Sequence, residues 1–197
     1  MAAGRQRTFD KKDALNKAME VFWRKGYNGT SLSDLTEAMG INKPSLYAAF
    51  GNKEDLFVSA IEQYVNEYGV PHFEKLISPG VDFKERMTVY LESIAKMISD
   101  SKLPGGCFVT ASTCEAGSDC LPEDAVHTIL KINATSTKAF VCFFSDEQAK
   151  GNVASTVSPA VLADSLLTLQ FGLAVMARNG TSRHRLKQII GQIVSCF

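Results

Sequence analysis

Within twenty residues, SLSDLTEAMGINKPSLYAAF (31–50), the chain starts two helices and stops both. Ser31 stands three positions before Asp34, a carboxylate variant of the capping box, and opens a helix that runs to Met39. Gly40 breaks it. Asn42 caps the next, with Pro44 in the first turn, where a missing N–H costs little. That helix ends near Phe50-Gly51. Two helices this short cannot bury a face alone, so Leu35, Met39, Ile41 and Leu46 are expected to pack on Leu15, Met19 and Phe22 of the helix before them.

The same punctuation continues along the chain. A first helix spans about 10–25, and Asn52 caps a fourth that runs towards Gly69, with Glu54 and Asp55 at the positive end of its dipole. Further helical stretches fall at about 82–100, 105–116, 122–146, 159–178 and 182–196. FVCFF (140–144) resembles a strand, but its flanks are helical. The expectation is an all-α protein of about nine helices. It divides into residues 1–52, a three-helix head, and 53–197, a helical body. The N-terminal MAAGRQRTFDKKD lacks the apolar run of a signal peptide. The most apolar stretch, 160–177, is broken by Asp164, Ser165, Thr168 and Gln170, which predicts a buried helix rather than a membrane span. A cytoplasmic protein with reduced thiols follows, with no membrane partner.

Charge separates the two parts. Residues 1–53 hold nine Lys or Arg against five Asp or Glu, while the rest of the chain is acidic by the same margin, so the whole is neutral. A basic head points to an anionic partner. A pair of short helices with a glycine turn fits a helix-turn-helix, whose second helix enters the major groove of double-stranded DNA. Lys43, Pro44, Ser45 and Ala48 then face the groove: Lys43 suits guanine, and Pro44 and Ala48 suit thymine methyls. Tyr47, Lys53 and Thr30 can reach phosphates. Arg5 and Arg7 precede the first helix as an arm suited to the minor groove or backbone. Each has a plainer reading, with Tyr47 in a core, Lys53 solvated, and Arg5 and Arg7 in a tail.

GYNGTSLSDLTEAMGINKPSLYAAFGNKEDLF (26–57) resembles the DNA-binding segment of the TetR family of bacterial transcriptional regulators. The resemblance rests on the Gly-aromatic pair ahead of Thr30, Glu-Ala-x-Gly in the turn, and Leu-Tyr-x-x-Phe followed by Lys-Glu-x-Leu. It covers roughly residues 9–60. Thr36 departs from it, since the family usually has Ala there against the recognition helix. GRQRTFD and the GGCF segment are most similar to the subgroup of the copper-responsive outer-membrane-protein regulator. The resemblance implies phosphate contacts at Thr30, Tyr47 and Lys53, and a repressor released from a palindromic operator by a small effector. It also implies a homodimer, for which the last two helices are the natural interface. The effector pocket is expected between Leu56 and Phe144, with Phe73, Tyr90, Ile94, Met97, Phe108, Ala111, Cys114, Ile129, Phe140 and Phe144 as its candidate lining.

GGCFVTASTCEAGSDC (105–120) carries three of the five cysteines. Cys107 and Cys114, seven apart on a helix, lie about 10.5 Å apart along its axis, too far for one ion or a disulfide. Cys107 is expected to be packing, and Cys114 to face the cavity. Cys114 and Cys120 straddle a glycine break and are the weak candidates for a metal or thiol-sensing pair, the alternative use of this scaffold as a redox or copper-ion sensor. Zinc Cys-x-x-Cys pairs are missing, as are a P-loop, a dinucleotide fingerprint and HExxH. His127 follows Cys120 by seven, but no thiol-enzyme signature surrounds them. The sequence therefore points away from an enzyme and calls for no cofactor.

Overall fold

The computed structural model describes residues 9–118 and 121–195, and every regular element among them is helical. In order these are α1 (Lys11–Lys25), α2 (Leu32–Met39), α3 (Lys43–Phe50), α4 (Lys53–Tyr64), α5 (Val70–Leu76), α6 (Phe83–Ile98), α7 (Phe108–Ala116), α8 (Glu123–Ala149), α9 (Pro159–Arg178) and α10 (Arg183–Val194). α4 and α5 form one rod through a π turn at Val65–Gly69, so the described residues form nine rods. The fourth helix thus runs past Gly69, where the sequence had suggested its end. Pro71 cannot donate an N–H, and its ring crowds the preceding turn; the wider π turn just ahead of it lets the rod continue.

The caps are where the residues demand them. Ser31 and Asp34 form a full capping box, as do Asn52 and Asp55, and Asn42 Oδ1 accepts from Ser45 N at 2.8 Å. Leu35, Met39, Leu46, Met19 and Phe22 are buried, with Leu15 and Ile41 packed at their edge. The Thr36 hydroxyl turns back to the Leu32 and Ser33 carbonyls, so the departure from Ala adds no unpaired group.

One core runs without a break from the head into the body. Phe22, Trp23, Phe57, Tyr64 and Phe108 stack edge to face in it, with Trp23 and Tyr64 rings 4.9 Å apart and Phe57 and Phe108 rings 5.7 Å apart. A second core joins α6, α8, α9 and α10 around Met87, Leu91, Phe144, Leu166 and Leu186.

α9 differs from expectation. Only Ala163, Leu166, Leu173 and Ala174 of it are buried, although its mean hydropathy of 1.7 and its length would suit a membrane span. Val161, Ser165, Thr168, Gly172 and Val175 are all exposed, at the alternating four-and-three spacing of a helix-packing seam. The sequence pattern marked α9 as apolar all round, and within one chain it is covered on one side only.

The body is fastened by a buried ion pair. Arg86 donates from Nη2 to Glu147 Oε2 at 2.6 Å, from Nη1 to Leu76 O and from Nε to Val81 O. Glu147 also accepts from Asn152 and Lys150. Burial alone would raise the Glu147 pKa, but bonds from Arg86, Asn152 and Lys150 outweigh it and hold the group at about 2. A carboxylate depressed in this way contributes stability above its ordinary value of 4.5, lost as pH falls through about 2. Glu147→Ala strands the Arg86 charge and is expected to destabilise the fold by about 3–5 kcal/mol. Urea unfolding at pH 7 measures the loss, and the acid limb of the variant's stability curve should be shallower than the parent's.

Candidate functional site

The outward face of the head is built by α3. Its first turn presents Lys43 and Pro44, and its next turn presents Tyr47, 48% exposed, and Ala48. Ser45 is half-buried, with its N–H held by the Asn42 cap. Leu46 and Phe50, on the opposite side, anchor α3 in the core. Lys53, at the start of α4, is half-buried with Nζ 4.1 Å from the centre of the Tyr27 ring, and burial lowers its pKa against the opposing pull of Glu115. The ring holds the ammonium group beside the N-terminus of α4, where the helix dipole also favours an anion. Thr30 is different: its side chain is buried, and its hydroxyl donates to Gly26 O at 2.6 Å, so it does not project outward as the sequence reading had it. Arg5 and Arg7 lie outside the described residues.

A cavity of about 470 Å³ opens among α4, the π turn, α5, α6, α7, α8 and α9. Tyr90, Ile94, Met97, Phe140 and Phe73 line it as expected. Phe108, Ala111, Cys114, Ile129 and Phe144 do not. Gly105 and Gly106 take φ of +81° and +66°, so α7 begins at Phe108 and not at 105, and Cys107 stands ahead of it in extended backbone. Phe108 faces the head core and Ile129 of α8 packs with it, Phe144 joins the second core, and Cys114 is exposed to solvent. Cys107, expected to be mere packing, lines the cavity instead and receives the Tyr64 hydroxyl at 3.3 Å. Among the described residues no three His, Cys, Asp or Glu gather as a metal site, and Cys120 lies outside them.

Tyr64, Cys107, His72 and Gln170 are lining residues that the sequence reading missed. His72 follows the π turn, beyond the point where the helix had been expected to stop. Burial, assisted by Lys75, lowers its pKa to about 4, so the ring is neutral near pH 7. Gln170 interrupts an otherwise apolar stretch of α9, and that is the one signal it gave.

Segments that carry cavity-lining residues also bond to α1, the helix that packs on α2. Trp23 Nε1 donates to Gly105 O at 3.1 Å. From the end of α9, Arg178 donates to Trp23 O and Arg24 O, both at 3.2 Å, placing a cation on the negative end of the α1 dipole. Glu115 of α7 accepts from Tyr27 N at 3.1 Å. Gly106 makes this approach possible, since a Cβ there would press on Ala174 O and Arg178 at 3.1 Å.

A helix-turn-helix head with a cavity-bearing helical body is the architecture of a one-component regulator, and the comparisons agree. The family of bacterial regulatory proteins of the tetR type matches residues 14–60. The transcriptional repressor ComR of Escherichia coli K12 is 32% identical over 188 residues, covering 95% of this chain and 89% of that protein. The repressor BdcR of the same organism is 33% identical over 106 residues, about half of each chain. The TetR family regulator CifR, as a cysteine mutant in complex with 26-base-pair operator DNA, is 34% identical with a TM-score of 0.86, covering 98% of this chain and 100% of that one. The chain belongs to the TetR family and is a DNA-binding transcriptional regulator.

Proposed function

We propose that this chain is a homodimeric cytoplasmic repressor that holds a palindromic operator and releases it when a small effector occupies the cavity. The observation that carries the reading is a direct link from the cavity-bearing body to the head: the segment bearing Cys107 and the helix bearing Arg178 both bond to α1, the helix on which α2 packs. An effector with different affinity for two arrangements of that wall shifts their populations, and operator affinity with them. In this division of labour residues 1–52, with Lys53 at their border, bind DNA, and the rest of 53–197 binds the effector and the second subunit.

On the DNA side, Lys43, Pro44 and Ala48 are the residues set to read bases, and Tyr47 and Lys53 to hold phosphates; Arg5 and Arg7 supply an arm. CifR, 34% identical and in complex with double-strand operator DNA, supports an operator duplex as the partner of this chain. The dimer surface is the α9 seam together with α10. Ser165 and Thr168 return their hydroxyls to Val161 O and Asp164 O, so the seam presents small surfaces with their donors already used. A second copy of the helix can approach closely along it.

Tyr47→Phe and Lys53→Ala are each expected to weaken binding to operator and non-operator duplex alike, and Lys53→Ala to lower the salt slope by about one. Fluorescence anisotropy across a salt series measures both. Val175→Glu places a carboxylate in the seam and should convert the dimer to monomer in sedimentation velocity, with loss of operator binding. The central test uses Trp23, the single tryptophan. A molecule that fills the cavity should change Trp23 emission and release operator over the same concentration range. Release with no change at Trp23, or the reverse, would overturn the proposed linkage.

A further inference from the structure

The turn that joins α1 to α2 is held from two directions. From within, Thr30 Oγ1 donates to Gly26 O at 2.6 Å, and Thr30 N donates to Tyr27 O at 3.2 Å. From outside, the N–H of Tyr27 is taken by Glu115 Oε2 at 3.1 Å, across 88 residues of chain. Gly26 admits the carboxylate: its φ is +72°, and a Cβ there would collide with Glu115 Oε1. A side chain of α7 thus grips the backbone of the head.

The position is unfavourable for α7 alone. Glu115 lies in the last turn of α7, and the turn it bonds follows the last residue of α1. It therefore stands at the negative ends of two helix dipoles. It is compensated by the Tyr27 N–H and by the charge of Lys53, whose pKa burial lowers and Glu115 draws back up.

The ring of Tyr27 carries the effect onward. It meets Phe57 edge to face with centroids 5.1 Å apart and lies parallel to Phe22 at 6.4 Å, which fixes its orientation. Lys53 Nζ stands 4.1 Å from its centre. Carboxylate, backbone, ring and ammonium group form one chain of contacts from α7 to the start of α4. At its other end α7 lines the cavity with Val109 and Thr110, Val109 lying about 9 Å along the axis from Glu115.

We propose that Glu115 is a positioning residue for operator binding: through the Tyr27 backbone it sets the ring that holds Lys53 against a DNA phosphate. The proposal rests on the reading of Lys53 as a phosphate contact. Without the bond the turn and its ring gain freedom, and Lys53 has more conformations to give up when it meets a phosphate. α7 is then a strut with one end in the cavity wall and the other under the phosphate-binding lysine.

The test separates the charge of Glu115 from its bond. Glu115→Asp keeps the charge on a side chain one methylene shorter and withdraws it from Tyr27 N. Glu115→Gln removes the charge and keeps an oxygen that can accept the same bond. The probe is a duplex that the full-length parent protein selects from a random-sequence pool, and fluorescence anisotropy measures its affinity. Glu115→Asp and Glu115→Ala should each lose about fivefold, and Glu115→Gln should stay within about twofold of the parent. In a Lys53→Ala background all three should change affinity by less than about twofold, because the group they position is gone. A substitution that only loosened the fold would cost the same in both backgrounds, and melting curves confirm that the Asp and Gln variants are folded. Parental affinity for both Glu115→Asp and Glu115→Ala, a matching loss for Glu115→Gln, or an undiminished loss in the Lys53→Ala background would overturn this inference alone. Lys53→Ala binding as tightly as the parent would overturn the phosphate reading beneath it.

Discussion

Trp23 is the residue on which the arrangement depends. Its indole is wholly buried, packs edge to face on Tyr64, and donates to the Gly105 carbonyl, while its own carbonyl receives Arg178. Four segments distant in sequence thus meet at one side chain. Because the indole N–H has a partner, the ring can be fully buried at no polar cost. The head is consequently not a bead on a linker. Its core continues into α4, α7 and the start of α8, and anything that moves those helices is felt at α1.

That continuity explains why a cavity sits where it does. Tyr64 and Cys107 close it on the side of the head, and the Tyr64 hydroxyl, its pKa raised by burial and by Cys107, stays neutral there. The opposite side is held by the second core and by the Arg86–Glu147 pair, a fully bonded network that ties α5, α6 and α8. The cavity therefore lies between this second core and the helices whose core reaches α1.

Much of the head was legible in sequence because its determinants are local. Ser31, Asn42 and Asn52 announce helix starts through side chains that reach three residues ahead, and Gly40 announces a stop. The body was legible as helices but not as a site. The π turn before Pro71 carries no cap signal, so His72 fell beyond the apparent end of its helix. The paired glycines at 105 and 106 delay α7, so Cys107 stands in extended backbone ahead of the helix and is free of the face that Cys114 lies on. Thr30 shows the converse, a polar residue at a helix start whose hydroxyl is consumed by the turn behind it. Cavity lining depends on how each rod is placed against its neighbours, and the periodicity of a single rod marks its apolar face without saying which neighbour covers it.

The construction of α3 has an evolutionary consequence. Leu46 and Phe50 anchor the helix, whereas Lys43, Pro44, Tyr47 and Ala48 are exposed. The anchoring residues and the exposed ones share a helix of eight residues and do not overlap. Under the proposed use of α3, substitutions at 43, 44 and 48 change the operator contacts without removing the side chains that hold the helix in place. A gene duplicate of such a protein can acquire a new regulon by drift at a few solvent-facing codons, without first passing through an unstable intermediate.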